Sequence, residues 1–585
     1  MDIAGPECRT ACLEAAPIPR PVRLDRVSVG ARALGLVTGV ITALIAVTVV
    51  AQETPQKPED APHDPDSVFD LNAEYRVRTV EVSPYDLSGT DVKDVLWTEQ
   101  RLRLDLGLTR KKLGGVTLQI DVLDGVLFGD NGQFGKSPAP NSGVSLATKR
   151  PNAARWAVGL PPGADPLDPD SYVPVLQSAP LLDVNFAYAD VILPVGLLRV
   201  GRQPQAYGAN ITSHDGSRVN RWGVSYWNDT SDRILFGTAV DAIVEVLSHG
   251  PGYVPAISLD RGFFVAGFYD WLNQGSVFST DDNLGQLGMA FQWRTPEADW
   301  FGLDWRDVLI SGFAVHLSDE RFATDVWGFP TRTQATVGPF YLLLQTAMIV
   351  GESREISEGF AVLSRREPTL QTIQGFGMHA LADYKAGPVT MTLQFDYATG
   401  DDDPRPTTPI TSFSFARDRN VGLLLFEHIL AFESARSVGV GIENLASLDA
   451  ASFPLTEVQT DGRFNNTIAL FPQVKVDLLE RPNNSVHVRL GALFAWPEAD
   501  GVVDPILTIL NEDGNRIDDD AVNFHGGAPG SYYGTELDAQ LEWAYRETFL
   551  WTVEGAVLFP GSSLEDENRD AVNAFMVENR FTFMY

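Results

Sequence analysis

The chain has 585 residues and a net charge of −33, from 44 Lys plus Arg against 77 Asp plus Glu. So negative a surface excludes nucleic acid and anionic lipid headgroups as partners. Length alone suggests several soluble domains, but the pattern of apolar residues along the chain argues for something else.

Arg20, Arg23, Arg26 and Arg32 precede an uncharged stretch, ALGLVTGVITALIAVTVVA at 33–51, whose Val49 and Ala51 are the small residues of a cleavage site. This describes a secretory signal over 1–51, cleaved near Ala51, with an uncleaved membrane anchor as the alternative. The long lead before the apolar stretch suggests translation from Val27 or Val29. Cleavage leaves 39 basic and 73 acidic residues, net −34, and removes both cysteines, Cys8 and Cys12. The mature fold then uses neither disulfides nor a Cys-held metal. Residues 52–69 (QETPQKPEDAPHDPDSVF) read as a Pro-rich periplasmic linker.

From residue 70 onward the dominant signal is period two. Leu102, Leu104, Leu106 and Leu108 alternate with Arg101, Arg103 and Asp105, and Val389, Met391, Leu393, Phe395 and Tyr397 alternate with Thr390, Thr392, Gln394 and Asp396. The pattern predicts strands over 73–83, 95–108, 115–124, 183–193, 197–203, 232–247, 260–272, 284–294, 306–317, 321–335, 338–351, 374–385, 388–399, 467–479, 485–494, 536–546, 549–559 and 572–585. Many run to ten residues or more, beyond the ~5–6 of a sandwich strand and near the ~9–11 that cross a bilayer at a tilt. The connections alternate too. TRKKLGG (109–115), LPVG (193–196), KAGP (385–388), ERPNN (480–484) and RET (546–548) are tight, whereas 125–182, 203–231, 400–466 and 495–534 are long. Short periplasmic turns opposite long extracellular loops are the plan of an all-β transmembrane antiparallel barrel in the outer membrane of a Gram-negative bacterium. The expected count is about 18 strands, with 16 the alternative, over a barrel domain at 70–585. The strand at 321–335 is required by parity, although Pro330 argues against it. NVGLLLFEHILAF (420–432) is apolar without clean alternation and is expected as a helix or hairpin within its long loop, folded inward or packed on the rim.

RVGRQPQAYGANITSHDGSRVNRWGVSYWNDTSDRILFGT (199–238), DYATGDDDP (396–404), ARDRNVGLLLFEHIL (416–430), the stretch 471–496 and GTELDAQLEWAYRETFLWTVEGAVLFPG (534–561) resemble, in that order, an uncharacterised family of myxobacterial porin-like outer-membrane proteins. The last stretch is also similar to the end of alginate-export barrels. The resemblance implies a barrel and supplies no substrate.

No GxSxG elbow, HExxH pair or phosphate-binding glycine loop is present. His214-Asp215 beside Ser213 lacks an oxyanion hole and a third partner, so the reading is that the protein is not an enzyme. Asn511, Asp513, Asn515, Asp518 and Asp520 surround Gly514 like half a calcium loop without its terminal Glu. A solvated acidic loop is the plainer reading, and calcium there would staple the loop as a structural ion; no other cofactor is indicated. The polar faces of the strands supply the expected lumen: Glu74, Arg76, Arg78, Glu99, Arg101, Arg103, Asp105, Lys475, Asp477, Arg489, Glu536, Asp538, Glu542 and Glu554. Such residues either set a transverse field across the bore or pair with one another to fill the wall. The overall charge predicts a modest cation preference. At the C-terminus Phe581, Phe583 and Tyr585 share one parity and resemble the closing-strand signal read by the outer-membrane barrel assembly machinery. Phe575 and Val577 are expected to face lipid with them. The function expected is a porin-like channel for passive diffusion of small hydrophilic solutes. The alternatives are a dedicated polysaccharide or oligosaccharide transport barrel and a non-conducting barrel with a structural or adhesive surface role. Whether 400–466 enters the bore separates an open channel from a gated, narrowly specific or structural barrel.

Overall fold

A computed structural model describes residues 67–585, apart chiefly from loop stretches at 130–154, 160–172, 178–181, 206–210, 273–283, 359–366, 432–461 and 504–520. The signal and linker readings, 1–51 and most of 52–69, lie outside the described residues. Eighteen antiparallel strands pair in chain order. They are β1 Ser67–Ser83, β2 Val95–Arg110, β3 Gly114–Gly129, β4 Leu182–Leu193, β5 Gly196–Pro204, β6 Thr230–Ala239, β7 Gly262–Leu272, β8 Leu284–Trp300, β9 Leu303–Asp319, β10 (Thr324–Gly328 continued as Thr331–Val337), β11 Phe340–Ser353, β12 Gln371–Ala386, β13 Val389–Ala398, β14 Thr467–Arg481, β15 Asn484–Pro497, β16 Gly534–Tyr545, β17 Phe549–Pro560 and β18 Ala574–Met584. The ring closes because β1 also pairs with β18, from Glu74↔Met584 to Ser83↔Phe575.

Proline explains why β10 alternates poorly. Pro330 has no N–H to give a neighbour, so the ladder lapses at Phe329 and Pro330. Phe313 N still reaches Pro330 O at 3.0 Å, and Phe329 N reaches Met348 O at 2.8 Å. The two segments flank the same neighbours, β9 and β11, and so count as one strand. The expected strand at 232–247 is corrected. It stops at Ala239 and continues as helix α1, Val240–His249. Val240, Ile243, Val244 and Leu247 recur at i, i+3, i+4 and i+7, a helical period that period-two counting overlooks. Helix α1 lies at the end of the barrel carrying the tight turns, with both chain ends of the sheet; this is the periplasmic end. Among the described residues no helix is long and apolar enough to cross a membrane. The strands provide the crossing.

One parity of each strand exposes large apolar side chains, for example Leu287, Met289 and Phe291 on β8, Met391 and Leu393 on β13, and Phe575, Val577, Phe581 and Phe583 on β18. Near the periplasmic end these become aromatic. Phe340 lies 5.1 Å from Tyr384, Trp543 5.7 Å from Phe549, and Trp293 5.6 Å from Trp300. An apolar exterior with an aromatic rim, on a sheet without free edges, is stable only where lipid replaces water. The protein is an outer-membrane barrel.

The inward parity changes character along the strands. Toward the periplasm it is charged: Glu74, Arg76 and Arg78 on β1, Thr552 and Glu554 on β17, Glu578 and Arg580 on β18. Toward the extracellular end it turns apolar: Val80 and Val82, Ala556 and Leu558, Ala574 and Met576, with Trp97, Phe471 and Leu493. That outer half is filled from within. Val421 and Leu423–Leu430, including a π-helical turn at Leu425–Leu430, pack with Phe413, Phe415, Phe464 and Ile211 into one buried apolar cluster with those wall residues. The apolar stretch 420–432 is therefore folded inward over its described part.

Candidate functional site

The predicted lumen residues divide between two walls. On β1–β3 and β16–β18 the charges neutralise one another within the wall. Arg78 pairs with Glu99 at 3.0 Å and with Glu578 at 2.9 Å across the closing seam, and Arg580 takes Glu554 at 3.0 Å. Arg101 pairs with Glu74 at 3.0 Å, and Arg103 holds both oxygens of Asp121 at 2.7 Å. Arg76 is buried beside them, and Asp105 accepts from Gln119 at 2.6 Å. Buried guanidinium groups persist only when paired this fully, since an isolated one would pay the whole desolvation cost. Asp538 is the exception. It is 3% exposed and neither carboxylate oxygen has a hydrogen-bond partner among the described residues. On the adjoining strands β14 and β15, Lys475 pairs with Asp477 at 3.0 Å, His487 lies 3.7 Å from Glu542 of β16, and Arg489 has no carboxylate partner among the described residues.

Two inward segments are clamped to the inner wall over β12–β17. Arg221 gives both guanidinium nitrogens to Asp383 of β12, at 2.8 and 2.7 Å. Trp222 Nε1 donates to Gln473 of β14 at 3.1 Å, while Gly223 N donates to Glu554 of β17 at 3.0 Å. Three consecutive residues are thus fixed to three strands along one arc of the wall. The second segment docks on Glu536. Leu423 N and Leu424 N donate to its Oε1 at 2.6 and 2.9 Å, and Leu425 N donates to Oε2 at 2.6 Å. Backbone N–H groups at the start of a helical turn converge on a carboxylate because they have no partners within the turn. Gly422 makes this approach feasible: φ is +75°, and a Cβ there would meet Glu536 Oε1 at 2.7 Å. Asn420 Nδ2 to Trp222 O, 2.9 Å, ties the two segments together.

Below these segments lies an open cavity of about 670 Å³, lined by Arg221, Arg306, Lys385, Lys475 and Arg489 and by one carboxylate, Asp383. The pairing register builds it. Lys385, Thr390, Lys475 and Arg489 are successive cross-strand partners over β12–β15, so three cations occupy one row. Arg489 also sits 5.7 Å over the Trp222 ring. Above it, sharing Arg221 and Tyr341, is a cavity of about 220 Å³ that adds Arg332, Arg419 and His379. Arg419 comes from the inward segment; burial, with Arg332 and Arg221 nearby, brings its pKa down to about 10. Sequence reasoning found Lys475 and Arg489 but missed Arg221, Arg306, Arg332, Lys385, Arg419 and His379. Lys385 was recoverable, since the KAGP turn sets it opposite Thr390. The loop arginines carry no periodic signal.

At the C-terminus Phe581 and Phe583 are exposed on the outer face, and Tyr585 exchanges backbone hydrogen bonds of 2.9 Å with Ala73. Residues 511–520, including the five oxygen-bearing side chains, lie outside the described residues. No family model matches the chain and no curated protein is similar to it in sequence. Similar solved structures include OprD of Pseudomonas aeruginosa, at 9% identity over 89% of this chain and 94% of that one, with a TM-score of 0.42. OccAB4 of Acinetobacter baumannii matches at 9% identity over 88% and 98%, TM-score 0.42, and OprB of Pseudomonas putida at 9% over 88% and 94%, TM-score 0.39.

Proposed function

We propose that this barrel is a constricted channel that passes small anionic solutes across the outer membrane. The observation that carries the reading is the 670 Å³ vestibule, where Arg221, Arg306, Lys385, Lys475 and Arg489 face one carboxylate already held by Arg221. Overall charge argued for cations, but selectivity follows the potential inside the bore, where low-dielectric walls focus the nearest charges. Most of the acidic excess lies elsewhere. The inward segments favour small solutes over a polymer, because their apolar cluster fills the outer half against wall residues from β11 round to β2. The resemblance to a myxobacterial porin-like family and to alginate-export barrels is carried by the sequence segments alone. It stands as a proposal of kinship, and the filled outer half weighs against a polysaccharide path. Purified protein in a planar bilayer under a KCl gradient is the direct test. The reversal potential is expected at the chloride-selective sign, with a small single-channel conductance, and a potassium-selective sign would sink the reading.

A further inference from the structure

The upper cavity differs chemically from the vestibule that feeds it. Three guanidinium groups, Arg221, Arg332 and Arg419, line it together with the His379 imidazole, and no carboxylate lines it. Asp383 already holds Arg221 and Asp396 holds His379, but Arg419 makes no ion pair among the described residues, and a guanidinium buried without a contacting anion is unfavourable. At about 220 Å³ it lies below the roughly 300–1,000 Å³ typical of drug-sized ligands. It suits an ion of a few heavy atoms.

His379 adds a second requirement. It is 2% exposed on β12, and its Nδ1 lies 2.6 Å from Asp396 Oδ1. Gln394 Nε2 fixes the other Asp396 oxygen at 2.7 Å. The carboxylate accepts, so Nδ1 carries the proton, and in the neutral tautomer Nε2 is an acceptor. That nitrogen has no hydrogen-bond partner among the described residues. A buried acceptor left unmade is costly, and here it stands among donors that call for oxygen anions.

The geometry points to a binding site in the constriction for an oxyanion that carries its own proton at neutral pH, the chemistry of hydrogen phosphate. The arginines take the charged oxygens, and the P–OH donates to His379 Nε2. Sulfate, fully deprotonated at neutral pH, would set an oxygen lone pair against that nitrogen. A site built to bond a hydroxyl rejects the analogue lacking it. This inference rests on the anion-channel reading and names the ligand class of its narrowest part.

The test is block of chloride current through the full-length protein in planar bilayers at neutral pH. Inorganic phosphate, methyl phosphate and sulfate are added at equal ionic strength. Phosphate is expected to block, and sulfate and methyl phosphate, which both lack the acidic proton at this pH because a monoester's second pKa is about 6, to block about tenfold more weakly or less well still. Arg419→Gln, on an inward loop rather than a strand, should weaken phosphate block by roughly tenfold. His379→Phe should bring phosphate and sulfate to the same weak block. Equal block by phosphate and sulfate in the wild type overturns the role of His379. A chloride-selective channel that phosphate does not block overturns the site while leaving the channel reading standing, whereas a potassium-selective channel removes the reading itself.

Discussion

The outer and periplasmic halves of one inward-facing surface obey opposite rules. Along β18 the same parity carries Ala574 and Met576 and then, nearer the periplasm, Glu578, Arg580 and Thr582; along β17 it carries Leu558 and Ala556 and then Glu554 and Thr552. The outer half is a protein core, closed by side chains from the inward segments at Phe413–Leu430. The periplasmic half is a polar surface, self-neutralised on β1–β3 and β16–β18 and left cationic on β12–β15. The difference teaches that alternation tells which face is inward and not what occupies the inside. Occupancy is written in how that parity changes along each strand.

The largest effect should come from removing the filler. Excising residues 421–430 and rejoining the chain with a short Gly/Ser linker should raise single-channel conductance severalfold, with the barrel still heat-modifiable on gels. An unchanged conductance would place the constriction in the polar half instead. Next comes the clamp. Glu536→Ala removes the acceptor for three buried N–H groups, and hydrogen bonds to a charged group contribute about 1.5–3 kcal/mol each. The docked segment should then leave its seat, seen as long-lived openings in current traces. Glu536→Gln, which keeps one acceptor oxygen, should give shorter and rarer ones. A third variant touches only the polar half. Lys475→Gln with Arg489→Gln should shift the reversal potential toward the cation side while leaving the conductance within about twofold, given that among the described residues their only contact with the inward segments is Arg489 over the Trp222 ring, which Trp222 Nε1 to Gln473 still holds in place. The smallest effect is a matched pair on one strand. Leu558→Asn should cost about 2–4 kcal/mol of stability, from lost burial and an unpartnered amide, measured by urea unfolding in detergent. Thr552→Asn, six residues nearer the periplasm, should cost under about 1 kcal/mol, since its surroundings are already polar. Equal costs would erase the distinction between the halves.

Most of the barrel was legible in the sequence because a two-residue period and turn chemistry are local. Even the weak tenth strand was required by parity, and Pro330 marks its actual interruption. Helix α1 was misread because its apolar residues also serve a strand pattern over a short window. The ion-paired wall was legible residue by residue, but its partners were not. Arg78 reaches Glu578 around the closure of the ring, a contact no local pattern encodes. The cationic cavity was half visible: Lys475 and Arg489 sit on strands, whereas Arg221 and Arg419 sit on loops whose path depends on clamps such as Asp383 and Glu536. The apolar run at 420–432 announced that something must bury it. The apolar outer ends of β1, β15, β17 and β18 announced the complementary vacancy, and reading the two together would have predicted the filled half.

The seam has a consequence in time as well as in space. Arg78 and Glu578 stand 500 residues apart, and their ion pair forms only when the last strand meets the first, whereas Arg78–Glu99 and Arg580–Glu554 join strands already adjacent in the chain. Until then the growing sheet has two raw edges and, at one of them, unmatched charge that lipid will not accept. Closure is therefore a single late event with the highest loop entropy the chain can offer. An incomplete sheet is held off the membrane interior by the same ions that later lock it there, so the cluster distinguishes a finished cylinder from an unfinished one.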